Sequence, residues 1–174
     1  KDWRWDEFRL KEHFLEDLFE SRKFDTWGLK REELLAFVMT RKPDSYRDLT
    51  SCVYEYYGIS RGRRFTRWGD KNNFYVQHVV RIHSIYPDAV FLHIVRDGRD
   101  VACSYRELER RNLSGAYAPR LPMEIEVIAG TWRENISSVI SATQRIGGEK
   151  VCELRFEDLV LDTEWSLRRV CGFL

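Results

Sequence analysis

Residues 90–105 decide the fold, and they read Val-Phe-Leu-His-Ile-Val-Arg-Asp-Gly-Arg-Asp-Val-Ala-Cys-Ser-Tyr. The stretch begins with a short, continuous apolar run, which is typical of a buried parallel strand. Asp97 and Gly98 then mark a turn, and a helical pattern follows. We therefore predict a strand that ends at Arg96 and leads directly into a helix.

The end of this strand is suited to an anion. The start of a helix presents unpaired backbone N–H groups and the positive end of the helix dipole. Arg96 adds a guanidinium, and Ser104 adds a hydroxyl eight residues later. Both groups donate well to phosphate or sulfate. An ordinary turn is the alternative, in which Asp97 or Asp100 caps the helix and Arg99 forms a surface ion pair.

The remaining pattern divides the chain into two parts. Residues 1–60 have the periodicity of helices, and in residues 61–174 strands alternate with helices. The predicted helices are 6–23, 30–40, 43–57 with Gly58 as C-cap, 74–86, 98–112, 123–146 and 164–174. The predicted strands are 64–68, 89–95 and 150–156, and a looser segment covers 113–122.

This order predicts an α/β fold with a parallel sheet flanked by helices and a helical N-terminal portion. Ligands of such folds bind at the carboxyl ends of the strands, where Arg96 lies. A chain of 174 residues has room for a single domain. We therefore expect residues 1–174 to belong to one domain.

Composition argues against several classes of partner. The net charge is +1, so bulk electrostatics do not indicate a nucleic acid or an anionic membrane surface. No apolar stretch approaches the roughly 18–20 residues of a membrane span. The four cysteines are widely spaced and the four histidines lack ligand spacing, so we predict no metal site. Free cysteines are typical of a reducing compartment, which favours a cytoplasmic location.

Three stretches resemble the sulfotransferases that use 3′-phosphoadenosine-5′-phosphosulfate (PAPS), in particular their bacterial-type and tyrosylprotein-like branch. Arg-Asp-Gly-Arg-Asp-Val-Ala-Cys-Ser at 96–104 is similar to their 3′-phosphate-binding segment. Trp-Gly-Asp-Lys at 68–71 resembles their Trp-Gly-Asp-Lys-Thr-Pro motif. Leu-Arg-Phe-Glu-Asp-Leu-Val at 154–160 resembles their Tyr-Glu-Asp-Leu-Val motif. The resemblance covers residues 64–174 and implies a P-loop NTPase-like sulfotransferase fold.

The resemblance also implies a set of cofactor contacts. Arg96 and Ser104 would bind the 3′-phosphate of PAPS, and Arg99 would assist unless it has only a surface role. Phe156 stands where relatives have tyrosine, so it can offer packing but no hydroxyl. Glu157 is expected to hold the strand-to-helix turn. Trp132 is expected to lie in the core, and the alternative is that it lines the acceptor cleft.

Lys71 is the predicted catalytic residue. In the family this lysine approaches the reacting end of PAPS, where its positive charge would offset the charge that develops on the leaving oxygen. The alternative is a surface lysine paired with Asp70. The resemblance therefore implies sulfuryl transfer to a hydroxyl or amine of a small-molecule, carbohydrate or peptide acceptor, without a metal.

One family feature is missing from this sequence. No Gly/Ser/Thr-rich loop of the kind that holds the 5′-phosphosulfate occurs here, and the usual base would follow that loop. We therefore expect the chain to be incomplete at both ends, and inactive and poorly soluble as these residues alone. Glu7, Glu12 and His13 are the substitutes for the base. The alternatives are a non-catalytic nucleotide-binding remnant and a nucleotide kinase of related fold, which upstream sequence would distinguish.

Overall fold

The computed structural model describes residues 8–111, 118 and 121–174. The chain falls into two compact units, of which the first ends at Lys71 and the second begins at Asn72. The predicted looser segment 113–122 lies mostly outside the described residues.

The first unit is helical, as the sequence predicts. Its helices are α1 (Phe8–Glu20), a 3₁₀ turn (Phe24–Trp27), α2 (Arg31–Arg41) and α3 (Tyr46–Ser60). Their apolar stripes meet in one core, because helices of this length are stabilised mainly by burying such stripes. The buried residues of that core are Leu15, Phe24, Leu34, Val38, Leu49, Cys52 and Val53.

Helix α3 is defined by its two ends. The hydroxyl of Ser45 accepts a hydrogen bond from the Asp48 N–H at 3.1 Å, which caps the N-terminus. At the other end Gly62 has a φ of 66°, the Gly62 N–H donates to Ile59 and the Arg63 N–H donates to Gly58. These bonds form a Schellman motif. The prediction of Gly58 as the C-cap is therefore wrong, and the left-handed glycine is Gly62.

Gly58 has a different role, inside α3. A Cβ atom at this position would collide with the ring of Phe65. The missing side chain allows the chain after α3 to fold back onto the helix. Residues 63–70, which follow, form no strand, so the predicted strand 64–68 is wrong. The side chains of this segment are nearly all exposed, and among the described residues no neighbouring strand lies beside them to pair with.

The second unit is an α/β arrangement. In chain order it contains a 3₁₀ turn (Asn73–Gln77), α4 (Val79–Ile85), β1 (Phe91–Val95), α5 (Gly98–Arg110), α6 (Ile125–Ile146), a 3₁₀ turn (Gly148–Lys150), β2 (Val151–Arg155), α7 (Phe156–Leu161) and α8 (Thr163–Phe173). Strands β1 and β2 pair in parallel, with Phe91 opposite Val151 and Val95 opposite Arg155. This confirms the predicted class, a parallel sheet flanked by helices.

The two strands are covered unequally. Leu92 and Ile94 share a face with Cys152 and Leu154, because these residues are paired in the register. Cys152 and Leu154 are buried under α8, whereas Leu92 is 40% and Ile94 48% exposed. One face of β1 therefore remains open.

Two further predicted elements differ from the structure. The predicted helix 74–86 is divided, because His78 has φ −126° and ψ 9°, which ends the 3₁₀ turn before α4 begins. The last strand ends at Arg155, and Phe156 begins the short helix α7 instead of closing the strand. Glu157 and Asp158 lie in the first turn of α7, where acidic residues interact favourably with the helix dipole.

All four cysteines are free, with Cys52 and Cys152 buried and Cys103 and Cys171 exposed. None of the helices in the described residues is long and apolar enough to cross a membrane.

Candidate anion-binding site

The candidate site lies where β1 and β2 end, at one edge of the sheet. Because the strands are parallel, Arg96 after β1 and Phe156 after β2 follow strand ends on the same side. The guanidinium carbon of Arg96 is 5.0 Å from the centroid of the Phe156 ring. The structure thus brings together two of the four predicted cofactor-binding residues.

Arg96 has a hydrogen-bond donor that no group in the described part of the chain uses. Its side chain is half-buried, and its Nε is buried without a hydrogen-bond partner among the described residues. A buried, unpaired donor is costly, and such groups in folded proteins are usually satisfied by a partner or a ligand. The contact with the Phe156 ring helps to hold the planar guanidinium in place. The N–H groups of the guanidinium are the donors that an anion would use.

The turn that carries Arg96 is held by its backbone. The indole Nε1 of Trp132, on α6, donates to the carbonyl oxygen of Arg96 at 2.9 Å. Gly98 makes room for the indole, since a Cβ atom there would lie 3.1 Å from Trp132 Cδ2. Glu157, on α7, accepts a hydrogen bond from the Asp97 N–H at 2.8 Å. Three helices therefore fix the position of the Arg96 backbone.

The first turn of α5 is capped by the chain itself. The Asp97 carboxylate accepts a hydrogen bond from the Arg99 N–H at 2.8 Å. It also receives two bonds from the Arg99 side chain, at 3.0 Å to Nε and 2.7 Å to Nη2. Asp97 is thus the N-cap and Arg99 its ion-pair partner, as the ordinary-turn alternative predicts. The Asp97 carboxylate occupies the N-terminus of α5 and would repel an anion there. An anion at this site would therefore be held by side chains and not by the helix N-terminus.

The same contacts shift two carboxyl pKa values. Hydrogen bonds from the Arg99 side chain and backbone lower the pKa of Asp97 to about 2. The hydrogen bond from the Asp97 N–H, followed by one from its own N–H, lowers the pKa of Glu157. Both groups are therefore ionised at neutral pH, and Arg96 supplies the positive charge of the site without an ion pair among the described residues.

Ser104 lies on α5, half-buried, almost two turns from the start of that helix. Arg96 precedes α5 and Ser104 lies within it, so both belong to the unit formed by β1 and α5. Arg99, in contrast, has a side chain that is 89% exposed and occupied by Asp97. Arg96 and Arg99 belong to the same sequence motif, but the structure gives their side chains different surroundings.

Lys71 is the last residue of the first unit and is exposed. Its backbone N–H donates to Asp70 Oδ1 at 2.7 Å, and the Tyr54 hydroxyl donates to Asp70 Oδ2 at 2.9 Å. Within the described part of the chain, the ammonium group of Lys71 has no ion pair with Asp70. Asn72 caps the following 3₁₀ turn by accepting a hydrogen bond from the Phe74 N–H.

Two residues of the site were only partly recognised from the sequence. Glu157 was expected to hold the turn between β2 and the helix that follows it. In the structure its carboxylate accepts hydrogen bonds from its own N–H, at the start of α7, and from the Asp97 N–H in the turn before α5. Trp132 was expected in the core, and its bond to Arg96 had no sequence signal, because the two residues are 36 positions apart. A tryptophan on the helix that precedes a parallel strand is the only hint that the sequence offers.

The structure gives little information about the residues predicted as substitutes for the catalytic base. Glu7 lies outside the described residues, and His13 is exposed on α1, 3.6 Å from Glu16 and 3.9 Å from Asp17. The part of the chain that the structure describes contains no group of three His, Cys, Asp or Glu residues placed to hold a metal ion.

Comparison with known proteins adds one match. The model of a family described as the sulfotransferase family matches residues 3–174, nearly the whole chain. Searches of curated proteins and of solved structures gave no significant match.

Proposed function

The chain belongs to the sulfotransferase family, and we propose that it transfers a sulfuryl group from PAPS to a hydroxyl or amine acceptor. The family match establishes the transferase class. The choice of PAPS as the sulfuryl donor rests on one observation. The guanidinium of Arg96, whose Nε has no partner among the described residues, lies at the edge of the sheet where the parallel strands have their carboxyl ends.

Arg96 would bind the 3′-phosphate of PAPS. A guanidinium keeps its proton at any physiological pH and presents a planar set of donors that fits a phosphate in bidentate fashion. Its contact with Phe156 and the anchored backbone keep this fork in place before an anion arrives, which lowers the entropy cost of binding.

The other predicted residues would have smaller parts. Ser104 would donate its hydroxyl to the same phosphate, and Phe156 would orient Arg96. Arg99 is occupied by Asp97, so we assign it an indirect role, that of setting the turn.

Lys71 would act on the reacting end of the donor. PAPS supplies the activated sulfuryl group, and negative charge builds on the bridging oxygen as the bond to that group breaks. A lysine ammonium that is not engaged by a neighbouring carboxylate can be placed close to that oxygen. We propose that Lys71 provides this charge and that no metal is needed.

The wider setting is also proposed. The free cysteines suit a reducing compartment, which supports a cytoplasmic location. We further propose that the two units work as a single sulfotransferase domain.

Nucleotide binding tests the donor site. Adenosine-3′,5′-bisphosphate should bind much more tightly than AMP, because only the former carries the 3′-phosphate. Arg96→Ala should weaken binding of the bisphosphate by about 30-fold, which corresponds to about 2 kcal/mol for a charge-assisted contact. Isothermal titration calorimetry measures both effects.

The matched control for this test is Arg106→Ala, an exposed arginine further along α5. It should leave the affinity for the bisphosphate within twofold of the unaltered protein. Equal affinity for the two nucleotides would overturn the assignment of Arg96, and would favour a protein of this family that has lost the nucleotide site.

A further inference from the structure

An unusually basic segment follows α3. Residues 61–71 contain Arg61, Arg63, Arg64, Arg67 and Lys71 against a single acid, Asp70, a net charge of +4. The whole chain has a net charge of only +1, which leaves −3 for the other residues. The segment therefore carries a net positive charge, whereas the remaining residues together have a small net negative charge.

Three contacts at its beginning and middle fasten this segment, two to α3 and one to the 3₁₀ turn that ends at Trp27. The Arg61 side chain donates to the carbonyl oxygen of Trp27 at 2.8 Å, and its guanidinium lies 5.2 Å from the centre of the Tyr57 ring. Phe65 packs on Gly58, the position of α3 that has no Cβ atom.

Two contacts fasten its end. The Trp68 ring stacks on Tyr54 with centroids 4.0 Å apart and planes 5° from parallel. The Tyr54 hydroxyl binds the carboxylate of Asp70. The segment has no regular secondary structure, yet side chains hold it at both ends and in the middle.

Arg63 and Arg64 are not used in this fastening. Both are exposed, and within the described residues neither side chain has a hydrogen-bond or ion-pair partner. Arg64 lines a shallow cleft of about 360 Å³ together with Phe65, Thr66 and Arg67.

The chemistry of the cleft favours an acidic carbohydrate. Arginine forks bind carboxylate or sulfate groups in bidentate fashion. Phe65, which is 40% exposed, offers an apolar surface beside them, and Thr66 offers a hydroxyl. Cations, an apolar ring and a hydroxyl complement the anionic groups, the C–H faces and the hydroxyls of a sugar.

Other anionic partners fit less well. Residues 63–70 form neither a strand edge nor an apolar groove, so an acidic peptide could be bound here only through the arginines. That alternative leaves Phe65 and Thr66 unused, and hexaglutamate in the experiment below tests it. A nucleic acid requires a surface that is basic over a larger area than a chain of net charge +1 provides.

We propose that Arg63, Arg64, Phe65 and Thr66 bind an acidic carbohydrate, and that this carbohydrate is the acceptor. The binding surface stands on the contacts above, whereas its role as the acceptor site rests on the proposed sulfuryl transfer.

A binding experiment on the full chain tests the surface without PAPS. The probes are a hexamer of galacturonic acid, the neutral sugar maltohexaose, and hexaglutamate, a peptide of similar charge. We expect the galacturonate hexamer to bind at least tenfold more tightly than either of the others in 50 mM salt, and more weakly as salt rises. Hexaglutamate binding as tightly as the uronate hexamer would overturn the proposal in favour of an acidic peptide.

A double variant locates the surface. Arg63→Gln with Arg64→Gln should reduce the affinity for the uronate hexamer at least tenfold. The control Arg133→Gln with Arg145→Gln removes the same charge from exposed positions on α6 and should change it less than twofold. Equal losses in both double variants would mean that only net charge matters and would overturn the assignment. Thermal unfolding of both variants verifies that the fold is kept.

The two proposals can fail separately. A protein that binds adenosine-3′,5′-bisphosphate but not the uronate hexamer keeps the proposed function and loses this surface. A protein that binds the hexamer but not the bisphosphate keeps the surface and loses the donor site. With an active protein, Arg63→Gln and Arg64→Gln should raise the KM for an acidic oligosaccharide while kcat stays within twofold. An unchanged KM would refute the role as acceptor site.

Discussion

Arg96 and Arg99 are three residues apart, and their surroundings set their chemistry. Arg99 is exposed and forms an ion pair with Asp97, so its charge is already matched. Arg96 is half-buried, lies against Phe156 and has an unpaired Nε. A surface ion pair contributes little to stability or binding, whereas a partly desolvated guanidinium without a counter-charge has a strong affinity for an anion. At the residue scale, we therefore propose Arg96, and not Arg99, as the residue that binds an anion.

Lys71 can be tested in the same way at this scale. If its ammonium offsets charge only in the transition state, Lys71→Ala should lower kcat by about 100-fold and change the affinity for adenosine-3′,5′-bisphosphate by less than threefold. Steady-state kinetics and nucleotide titration measure the two quantities. Lys42→Ala, at another exposed lysine of the first unit, is the control. A Lys71 variant with near-normal kcat would show that the lysine is an ordinary surface residue.

Asp97 gives a prediction about pH. Its carboxyl pKa is lowered from 3.8 to about 2 by Arg99. A carboxyl whose pKa is lowered by folding stabilises the fold above its unfolded pKa, and this contribution is lost as the pH falls through the folded pKa. Asp97→Asn keeps a good N-cap but removes the charge. Urea unfolding should show the variant less stable than the unaltered protein at pH 5, with a difference that shrinks between about pH 4 and pH 2. A difference independent of pH would indicate a packing effect.

At the scale of elements, α3 positions the chain that follows it. Its Schellman motif at Gly62 reverses the direction of the chain, and Gly58 allows Phe65 to pack on the helix. The sequence has two glycines in this region, and only the packing distinguishes the one that ends the helix from the one that makes room for a ring.

This division of roles can be tested by substitution. Gly→Ala inside a helix normally stabilises it by about 0.5–1 kcal/mol. Gly58→Ala should instead destabilise the protein by about 1–3 kcal/mol, because the new Cβ atom displaces the Phe65 ring. In a Phe65→Ala background the same substitution should become neutral or stabilising. Denaturant unfolding measures all of these changes.

Gly130→Ala is the control for Gly58→Ala. Gly130 lies inside α6, and a Cβ atom there would have nothing within 4 Å. This substitution should stabilise the protein. A stabilising effect of Gly58→Ala as well would contradict the close packing of Phe65.

At the scale of the whole molecule, the sheet is the exposed part of the second unit. In the described residues it has two strands, so each strand has an edge without a neighbour. Leu92 and Ile94 are also exposed on the open face of β1. Exposed strand edges that carry apolar side chains promote edge-to-edge association. We therefore expect the protein to self-associate through β1.

Ile94→Lys should reduce this association, because a charge on an edge strand opposes the approach of a second strand. The control is Ile140→Lys on α6, since Ile140 is 49% and Ile94 48% exposed. Light scattering at increasing protein concentration should show less association with Ile94→Lys and little change with Ile140→Lys. Equal improvement in both variants would show that total apolar surface, not the strand edge, drives association.

The sequence by itself determined the class of fold and predicted a place for the candidate site. The apolar run before Arg96 predicted β1, the alternation of strands and helices predicted a parallel pairing, and the spacing from Arg96 to Ser104 indicated an anion site. These features are local or periodic, so they can be read from neighbouring residues. The helical character of the first unit followed from its apolar stripes in the same way.

Only the tertiary structure decided how individual side chains are used. Trp132, 36 positions from Arg96, binds its carbonyl oxygen, and Phe156, 60 positions away, stacks on its side chain. Residues 64–68 were predicted as a strand, yet among the described residues no partner strand lies beside them, and Phe65 packs on α3 instead. A local pattern states what a segment can form, whereas contacts between distant residues decide which of those forms has the lowest free energy.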